Sequence, residues 1–401
     1  MAYYNQLIAY LHSNWDRFSQ SWLWSAVFFP FLTTRFALIV VAFGSEFFVN
    51  YPGINPGEIV QRGWWFTGNK LLDMWARWDS GWYLNIVEHG YYINGDLATS
   101  QSNIVFYPLY PILVKAFSSV IPSSWINTKV YLAVGVLLSN LFLILGLILL
   151  YKLVCEFMSG PIIAEKSIIY LLVFPTSFFF STFYSESVFL FFNIATVYAC
   201  LHKRWWLAGL CSGLLALARP TGVLIIILTG WLYMDSIEWK FSRLRPNVLW
   251  LGLAPLSWLA FQLYTSNIAG VLGASILNQQ SWNRNFDFNL FSYLLGVLQD
   301  PVPFHKFTMI FALIFLILSV ISFWRLPSKG YAFFSFFQIV VPYVSGRDIS
   351  LMRFLLGVFP VYILTAQLVV NRPRLDVFIR TILFALQMVY MAAWFNLYPI
   401  A

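Results

Sequence analysis

The stretch YLAVGVLLSNLFLILGLILL, from Tyr131 to Leu150, decides the fold because it carries no charged side chain over its whole length. A helix of this length rises about 30 Å, which matches the hydrocarbon core of a bilayer. A backbone surrounded by lipid has to satisfy its own hydrogen bonds, and a helix does so within one segment. The stretch therefore predicts a membrane-spanning helix.

The composition of the whole chain also indicates a protein that lies in lipid. Of the 401 residues, 60% are hydrophobic, 20% are aromatic and only 10% are charged, whereas a soluble domain carries about 25% charged residues. The net charge of +8 could suggest nucleic acid as a partner. Here the Lys and Arg residues cluster between apolar segments, as the positive-inside rule describes, and we expect no nucleic acid.

Further apolar segments predict an all-α, polytopic bundle of about 9–11 membrane segments in a single domain, residues 1–401. We place them at 22–49, 168–182, 188–201, 205–233, 249–264, 307–324, 331–345, 351–370 and 378–394. The first reads as a retained anchor. The 205–233 segment is interrupted by Arg219-Pro220. The stretch 106–121 is short and has two prolines, so we expect it to be re-entrant or interfacial.

Basic clusters orient these segments. Placing Lys203/Arg204, Lys240–Arg245, Arg325/Lys329 and Arg372/Arg374 in the cytoplasm puts the polar loop 50–103 on the other face. The turn at Glu186, the break at Arg219 and the loops around Trp282 and Arg347 fall on that face as well. The loop 50–103 should carry short helices.

Ionisable groups at membrane edges are functional hypotheses by default. Asp79, in Arg77-Trp78-Asp79-Ser80-Gly81-Trp82-Tyr83, could be a general base among aromatic rings or a helix N-cap. Glu186 could bind a ligand or lie in a tight turn. Arg219 could bind an anion or extend towards lipid headgroups. An Arg347–Asp348 pair could be purely structural.

Metal and nucleotide chemistry lack their usual signals. His12, His89, His202 and His305 are scattered, and we find no P-loop, GxGxxG, GxSxG or HExxH motif. Cys155, Cys200 and Cys211 have no metal-ligand spacing, and we expect free thiols. We expect no divalent metal and no other cofactor.

Six stretches together resemble the PIG-V family of mannosyltransferases of glycosylphosphatidylinositol synthesis and its bacterial relatives. They are RWDSGWYLNIVEHGY (Arg77–Tyr91), FYPLYPILVKAF (Phe106–Phe117), FPTSFFFSTFYSESVF (Phe174–Phe189), LARPTG (Leu217–Gly222), QQSWNR (Gln279–Arg284) and SLMRFLLGVFP (Ser350–Pro360). The resemblance implies the GT-C fold, and the short loops favour a bacterial relative.

The resemblance also implies a polyprenyl-phosphate sugar donor, with mannose foremost, and a glycan or glycolipid acceptor outside the cytoplasm. It assigns Asp79 as the catalytic residue. An inverting single displacement is expected, with Asp79 as base. We predict substrate contacts from Arg77, Trp78, Trp82, Tyr83, Glu186, Arg219, Gln280, Trp282, Arg284, Arg347 and Arg353. The expected location is a cell membrane, or the endoplasmic reticulum in a eukaryote.

Two other functions, transport and lipid flipping, remain compatible with the sequence. A transporter would place its charged residues near the bilayer midplane, whereas the charges here collect at one face. A flippase for lipids or lipid-linked sugars would, like a transferase, need to bind lipid phosphates.

Overall fold

The structure is a computed structural model that describes residues 21–48, 66–284, 303–345, 350–398 and 400. Within these ranges every regular element is helical and no β-strand occurs, which confirms the predicted fold class. Arg347, Asp348 and parts of two predicted polar loops, residues 49–65 and 285–302, lie outside the described residues.

The α-helices follow one another along the described chain, joined by turns and short 3-10 segments. They are α1 (Leu23–Ser45), α2 (Lys70–Asp73), α3 (Ser80–His89), α4 (Leu109–Ser118), α5 (Thr128–Phe157), α6 (Pro161–Leu172), α7 (Glu186–Leu201), α8 (Trp205–Ala218), α9 (Ile225–Ser236), α10 (Leu253–Ala269), α11 (Ala274–Leu277), α12 (Pro303–Arg325), α13 (Gly330–Val344), α14 (Leu351–Phe354), α15 (Phe359–Val369) and α16 (Pro373–Phe395). The first turns of α1 have π-helical hydrogen bonding.

Five helices of the described chain are long and apolar enough to cross a membrane. They are α1, α5, α10 with its preceding 3-10 turns (Pro246–Ala269), α12 and α16. The bent pair Leu351–Gly357 and Phe359–Val369 has the composition of a broken span or of a re-entrant loop, and the described chain also has shorter apolar helices of 10–17 residues. The chain is a multi-pass membrane protein.

Proline accounts for two differences from the predicted segments. The segment predicted at 168–182 ends as an α-helix at Leu172, and a buried 3-10 turn, Ser177–Ser181, follows Pro175. The segment predicted at 351–370 bends by 75° between Gly357 and Phe359, next to Pro360. Proline lacks an N–H group and clashes with the preceding turn, so a continuous helix fails at both places.

The helical hairpin α7–α8 positions the site. Helix α7 begins at Glu186, rises about 24 Å and ends at Leu201. The chain turns back at Lys203, whose φ of +56° is left-handed, and α8 returns to end at Ala218, next to Arg219. Glu186 and Arg219 therefore lie at the same end of the bundle. We call this the site end, and the opposite end the basic end.

The loop between α1 and α5 lies at the site end. Helix α4 has 10 residues and rises only about 15 Å, half of a hydrocarbon core, so it cannot span. This agrees with the prediction for residues 106–121. Helices α2 and α3 are the short helices predicted within loop 50–103.

Candidate active site

Asp79 lies in a tight turn that precedes α3. Trp78, the residue before it, has a φ of +51°, a conformation that costs free energy for a residue with a large side chain. The hydroxyl of Tyr184 braces this turn: it accepts a hydrogen bond from Asp79 N at 3.0 Å and donates one to the Arg77 carbonyl at 2.9 Å. The turn is thereby tied to the segment leading into α7.

The Asp79 side chain does not cap the helix, although the residue occupies the N-cap position. Its Oδ2 atom instead accepts a hydrogen bond from Arg353 Nη1 at 2.8 Å. Arg353 lies on α14, 274 residues further along the chain. Of the two roles open to this side chain, the geometry disfavours the N-cap.

Four charged side chains form one network at the site end. Glu186 Oε1 lies 2.9 Å from Arg219 Nη1 and 3.2 Å from Arg353 Nε, and Arg353 reaches on to Asp79. Glu186, Arg219 and Arg353 expose 2%, 6% and 8% of their surface. Buried charges persist only when they are paired, because desolvation costs several kcal/mol per ion. The network therefore keeps two guanidinium groups charged beside a cavity.

Aromatic rings contact the guanidinium groups of the arginines in the site. The guanidinium carbons of Arg219 and Arg284 lie 4.4 Å and 5.5 Å from the ring centroid of Phe354, and that of Arg353 lies 5.1 Å from the ring of Tyr184. Such contacts add attraction without using the N–H donors of a guanidinium.

A cavity of about 260 Å³ opens onto this network. It is lined by Trp78, Asp79, Tyr83, Gln101, Val105, Phe106, Tyr107, Ala218, Arg219, Pro220, Gln279, Trp282, Arg284, Ser350, Arg353 and Phe354. We call it the polar cavity. A second, mostly apolar cavity of about 390 Å³ shares Tyr107, Pro220, Gln279, Arg284 and Phe354 with it. We call this one the apolar cavity.

Most of the residues predicted for the site come together here. Seven of them line the polar cavity: Trp78, Asp79, Tyr83, Arg219, Trp282, Arg284 and Arg353. Glu186 lies directly behind two of its arginines. Gln280 lines the apolar cavity, and Trp82 packs edge-on against Trp282 with ring centroids 5.4 Å apart.

Two predicted site residues stand apart. Arg77 is fully buried, does not line either cavity and donates from Nη1 to the carbonyls of Asp73 and Ala76, so its geometry favours a structural role over substrate contact. Burial lowers the pKa of Arg77 to about 10, against the opposing effect of Asp73, and it remains a cation near neutral pH. Arg347 lies outside the described residues.

Tyr83 is a neutral side chain in the wall of the polar cavity. Burial, followed by the negative charge of Glu186, raises its pKa to about 12, so the phenol stays protonated at physiological pH. Its hydroxyl lies 3.0 Å from Ser185 Oγ, next to Glu186.

Several lining residues were missed as individual site residues, although their motifs were noted. Tyr107, Gln279 and Phe354 lie within stretches that carried the resemblance, as does Tyr184, which does not line either cavity but braces the turn at Asp79. None of the four carries a charge, and the sequence alone does not show that their side chains reach the site. Among the described residues no group of three or more His, Cys, Asp or Glu side chains assembles, and metal independence stays a prediction.

The sequence of the chain matches a known protein family. The profile of the family described as Mannosyltransferase (PIG-V) matches residues 45–265, more than half of the chain. The chain belongs to this family. Asp79, Glu186 and Arg219 fall within the matched part, whereas Arg284 and Arg353 lie beyond it. The GT-C assignment implied by the resemblance comes with the family.

The chain is also similar to characterised mammalian enzymes. GPI alpha-1,6-mannosyltransferase 2 from Mus musculus is 27% identical over 189 residues, which is 46% of this chain and 36% of the mouse protein. Its counterpart from Cricetulus griseus is 27% identical over 209 residues, 51% of this chain and 39% of the hamster protein. The matched part thus spans well under half of these relatives.

Solved structures of low similarity include an oligosaccharyltransferase from Archaeoglobus fulgidus, crystallised with Zn and sulfate. It is 14% identical with a TM-score of 0.45, covering 89% of this chain and 53% of that one. The oligosaccharyltransferase AglB of the same organism, bound to an inhibitory peptide and a dolichol-phosphate, has a TM-score of 0.38 at 12% identity, covering 90% and 55%.

Proposed function

We propose that this chain is a membrane glycosyltransferase that moves a sugar, mannose foremost, from a polyprenyl-phosphate donor to a hydroxyl of a glycan or glycolipid acceptor. The observation that carries the proposal is a carboxylate, Asp79, facing a cavity whose wall also presents Arg219, Arg284 and Arg353. A transferase of this kind needs both a base for the acceptor and cations for the leaving phosphate.

Asp79 is the base of the proposed reaction. The acceptor oxygen attacks the anomeric carbon, the bond from that carbon to the phosphate oxygen breaks, and the hydroxyl proton passes to Asp79. Glu186, the other carboxylate of the network, is 2% exposed and does not line the polar cavity. By analogy with glycosidases, retention would need a second carboxylate at the sugar as nucleophile. The geometry therefore favours single displacement with inversion.

The arginines serve the leaving group. A phosphodiester donor carries one negative charge, and the polyprenyl monophosphate that leaves can carry two, so cations at this place stabilise the transition state more than the bound donor. The apolar cavity adjoins them at Arg284 and Phe354, where the first isoprene units of the tail would be held. The site end would face away from the cytoplasm, since the basic loops lie at the other end.

The test is transfer by the purified full-length protein in lipid nanodiscs, with an acceptor extract and one labelled donor at a time. Polyprenyl-phosphate mannose should support transfer in the presence and absence of a chelator, whereas the nucleotide sugar should not. A product of inverted anomeric configuration is expected.

Transfer from the nucleotide sugar alone, or strict dependence on a divalent metal, would contradict the proposed donor and mechanism. In sealed proteoliposomes, movement of the labelled lipid across the bilayer without any transfer would instead favour a flippase.

A further inference from the structure

Arg353 is shared between two carboxylates in an uneven way. Among the described residues its guanidinium makes one well-aligned hydrogen bond, from Nη1 to Asp79 Oδ2 at 2.8 Å. Its Nε atom lies 3.2 Å from Glu186 Oε1, as an ion pair without hydrogen-bond alignment. Removing the bond to Asp79 would therefore leave Arg353 paired with Glu186.

The bond from Arg353 engages the carboxylate of Asp79, which is the proposed base. The Oδ2 atom of Asp79 already accepts a hydrogen bond from Arg353, so one of the lone-pair sites of the carboxylate is taken and its negative charge is shared with a cation while the pair persists. The side chain of Asp79 is 23% exposed, against 9% for Arg353. The carboxylate is thus within reach of a substrate but engaged by its own protein.

We propose that the anionic phosphate of the donor takes Arg353 from Asp79, so that donor binding frees the carboxylate to accept the acceptor's proton. This inference rests on the proposed function and adds an order to it, with the donor before the acceptor. Arg353 would then contact the phosphate, and Glu186 would be the positioning residue that retains Arg353 during the exchange.

The surroundings of Arg353 suit such an exchange. Its guanidinium lies over the rings of Tyr184 and Phe179, at 5.1 Å and 5.6 Å from their centroids, and rings permit a planar cation to pivot without losing contact. The five donors of a guanidinium allow a phosphate to be held while Nε stays near Glu186.

Binding of a lipid phosphate tests the exchange directly. Polyprenyl monophosphate is titrated into the wild-type protein and variants in nanodiscs, with the uncharged polyprenol as control ligand. Asp79→Asn should bind the phosphate about five- to tenfold more tightly, because Arg353 is no longer held by a competing partner. Simple loss of a binding contact predicts the opposite sign.

Glu186→Gln is the matched control for charge. It removes one negative charge from the same network and one partner of Arg219, but it leaves the Arg353–Asp79 pair in place. Its affinity for the phosphate should rise less than that of Asp79→Asn, and the difference between the two variants measures the release of Arg353. In an Arg353→Gln background, Asp79→Asn should change the affinity less than twofold. The comparison of the two carboxylate variants requires no change at Arg353 and decides the question even if Arg353→Gln does not fold.

Unchanged or weaker phosphate binding by Asp79→Asn would overturn the exchange, as would equal tightening by both carboxylate variants. The proposed function would survive that result as long as the wild-type protein prefers polyprenyl phosphate to polyprenol. A wild-type protein without this preference would overturn the donor class and the exchange together.

Discussion

At the residue scale, the turn around Asp79 is held by contacts from distant parts of the chain. Tyr184 joins it to the start of α7, and the indole N–H of Trp394 donates to the Met74 carbonyl at 2.8 Å. Trp78 keeps its left-handed backbone within this frame. A strained backbone conformation persists where many surrounding contacts hold the residue in place, and this commonly happens at functional sites.

Replacing Asp79 by Asn should abolish sugar transfer and leave the fold intact. Asn keeps the shape of the side chain but cannot take the acceptor's proton, and loss of a general base costs about 10²–10⁴-fold in rate. The measurement is initial transfer rate, together with the thermal unfolding midpoint. Asp96→Asn is the control, since Asp96 is exposed in the same loop and, among the described residues, its carboxylate bonds only to residues 98 and 99. Wild-type turnover by Asp79→Asn would exclude it as the base.

Replacing Tyr184 by Phe should slow transfer about ten- to a hundredfold. The change removes the hydroxyl that links the Asp79 amide to the Arg77 carbonyl, and a small displacement of a catalytic group is costly. Separate measurements of kcat and of donor KM should place the loss in kcat.

Tyr233→Phe is the matched control for that change. Its hydroxyl likewise accepts a hydrogen bond from a backbone N–H, that of Arg245, and it donates one to Asn247 Oδ1, but it lies at the basic end. Equal losses of kcat in the two variants would show that Tyr184 acts through general stability and not through the turn at Asp79.

At the element scale, α8 packs closely against the start of α10 through two glycines spaced four residues apart. A Cβ atom at Gly209 would overlap the carbonyl of Trp250, and one at Gly213 would lie 2.9 Å from Ser257 Oγ. Small residues at this spacing let membrane helices approach until their backbones touch. This contact sets the position of α8, and therefore of Arg219 at its end.

Gly209→Ala should destabilise the protein by about 1–3 kcal/mol, because the added methyl group meets backbone that cannot move aside. Gly230→Ala, in the middle of α9, is its control. Among the described residues, no atom outside the helix lies within 4 Å of a Cβ there, and alanine is the better helix former by about 0.5–1 kcal/mol. Thermal or denaturant unfolding in detergent measures both. A Gly209→Ala variant as stable as the Gly230→Ala variant would contradict the close approach of α8 and α10.

Helix positions could be predicted from apolar length, but their ends and bends depend on the neighbours. The break at Arg219-Pro220 was predicted, because a charge and a proline coincide in sequence. The bend at Val358 was not, since Pro360 stands at a position where proline also begins helices normally. Tertiary packing decides between those outcomes. A Cβ at Gly357 would overlap the ring of Phe189 on α7.

At the scale of the whole molecule, the sequence predicted which residues form the site, but it did not predict which of them bond to each other. One-sided placement of the loops indicated that Asp79, Glu186 and Arg219 share a face. Nothing local to either residue shows that Arg353 bonds to Asp79, because 274 residues separate them. Arg77 lies beside Asp79 in sequence, yet it points into the protein towards carbonyls. Adjacency in sequence did not predict adjacency in the cavity.

The direction of the helices separates the molecule into two ends. Helices α7 and α8 run from the site end to Lys203 and back, and α9 runs from Arg219 towards the basic loop 240–245. Loop residues 97–100 lie at the site end, where the carbonyls of Leu97 and Ser100 accept hydrogen bonds from Asn278. The positive-inside rule then predicts that the site end faces away from the cytoplasm.

Single cysteines at Ala98 and at Ser242 test this orientation, since both positions are exposed and lie at opposite ends. Cys155 is replaced by Ser in the background, because Cys200 and Cys211 are already buried. In sealed right-side-out vesicles, a membrane-impermeant maleimide should label Ala98→Cys at once and Ser242→Cys only after permeabilisation. Labelling in denaturant controls for expression of both variants. The reverse pattern would place Asp79 in the cytoplasm, where nucleotide sugars are available, and would remove the topological reason for a lipid-linked donor.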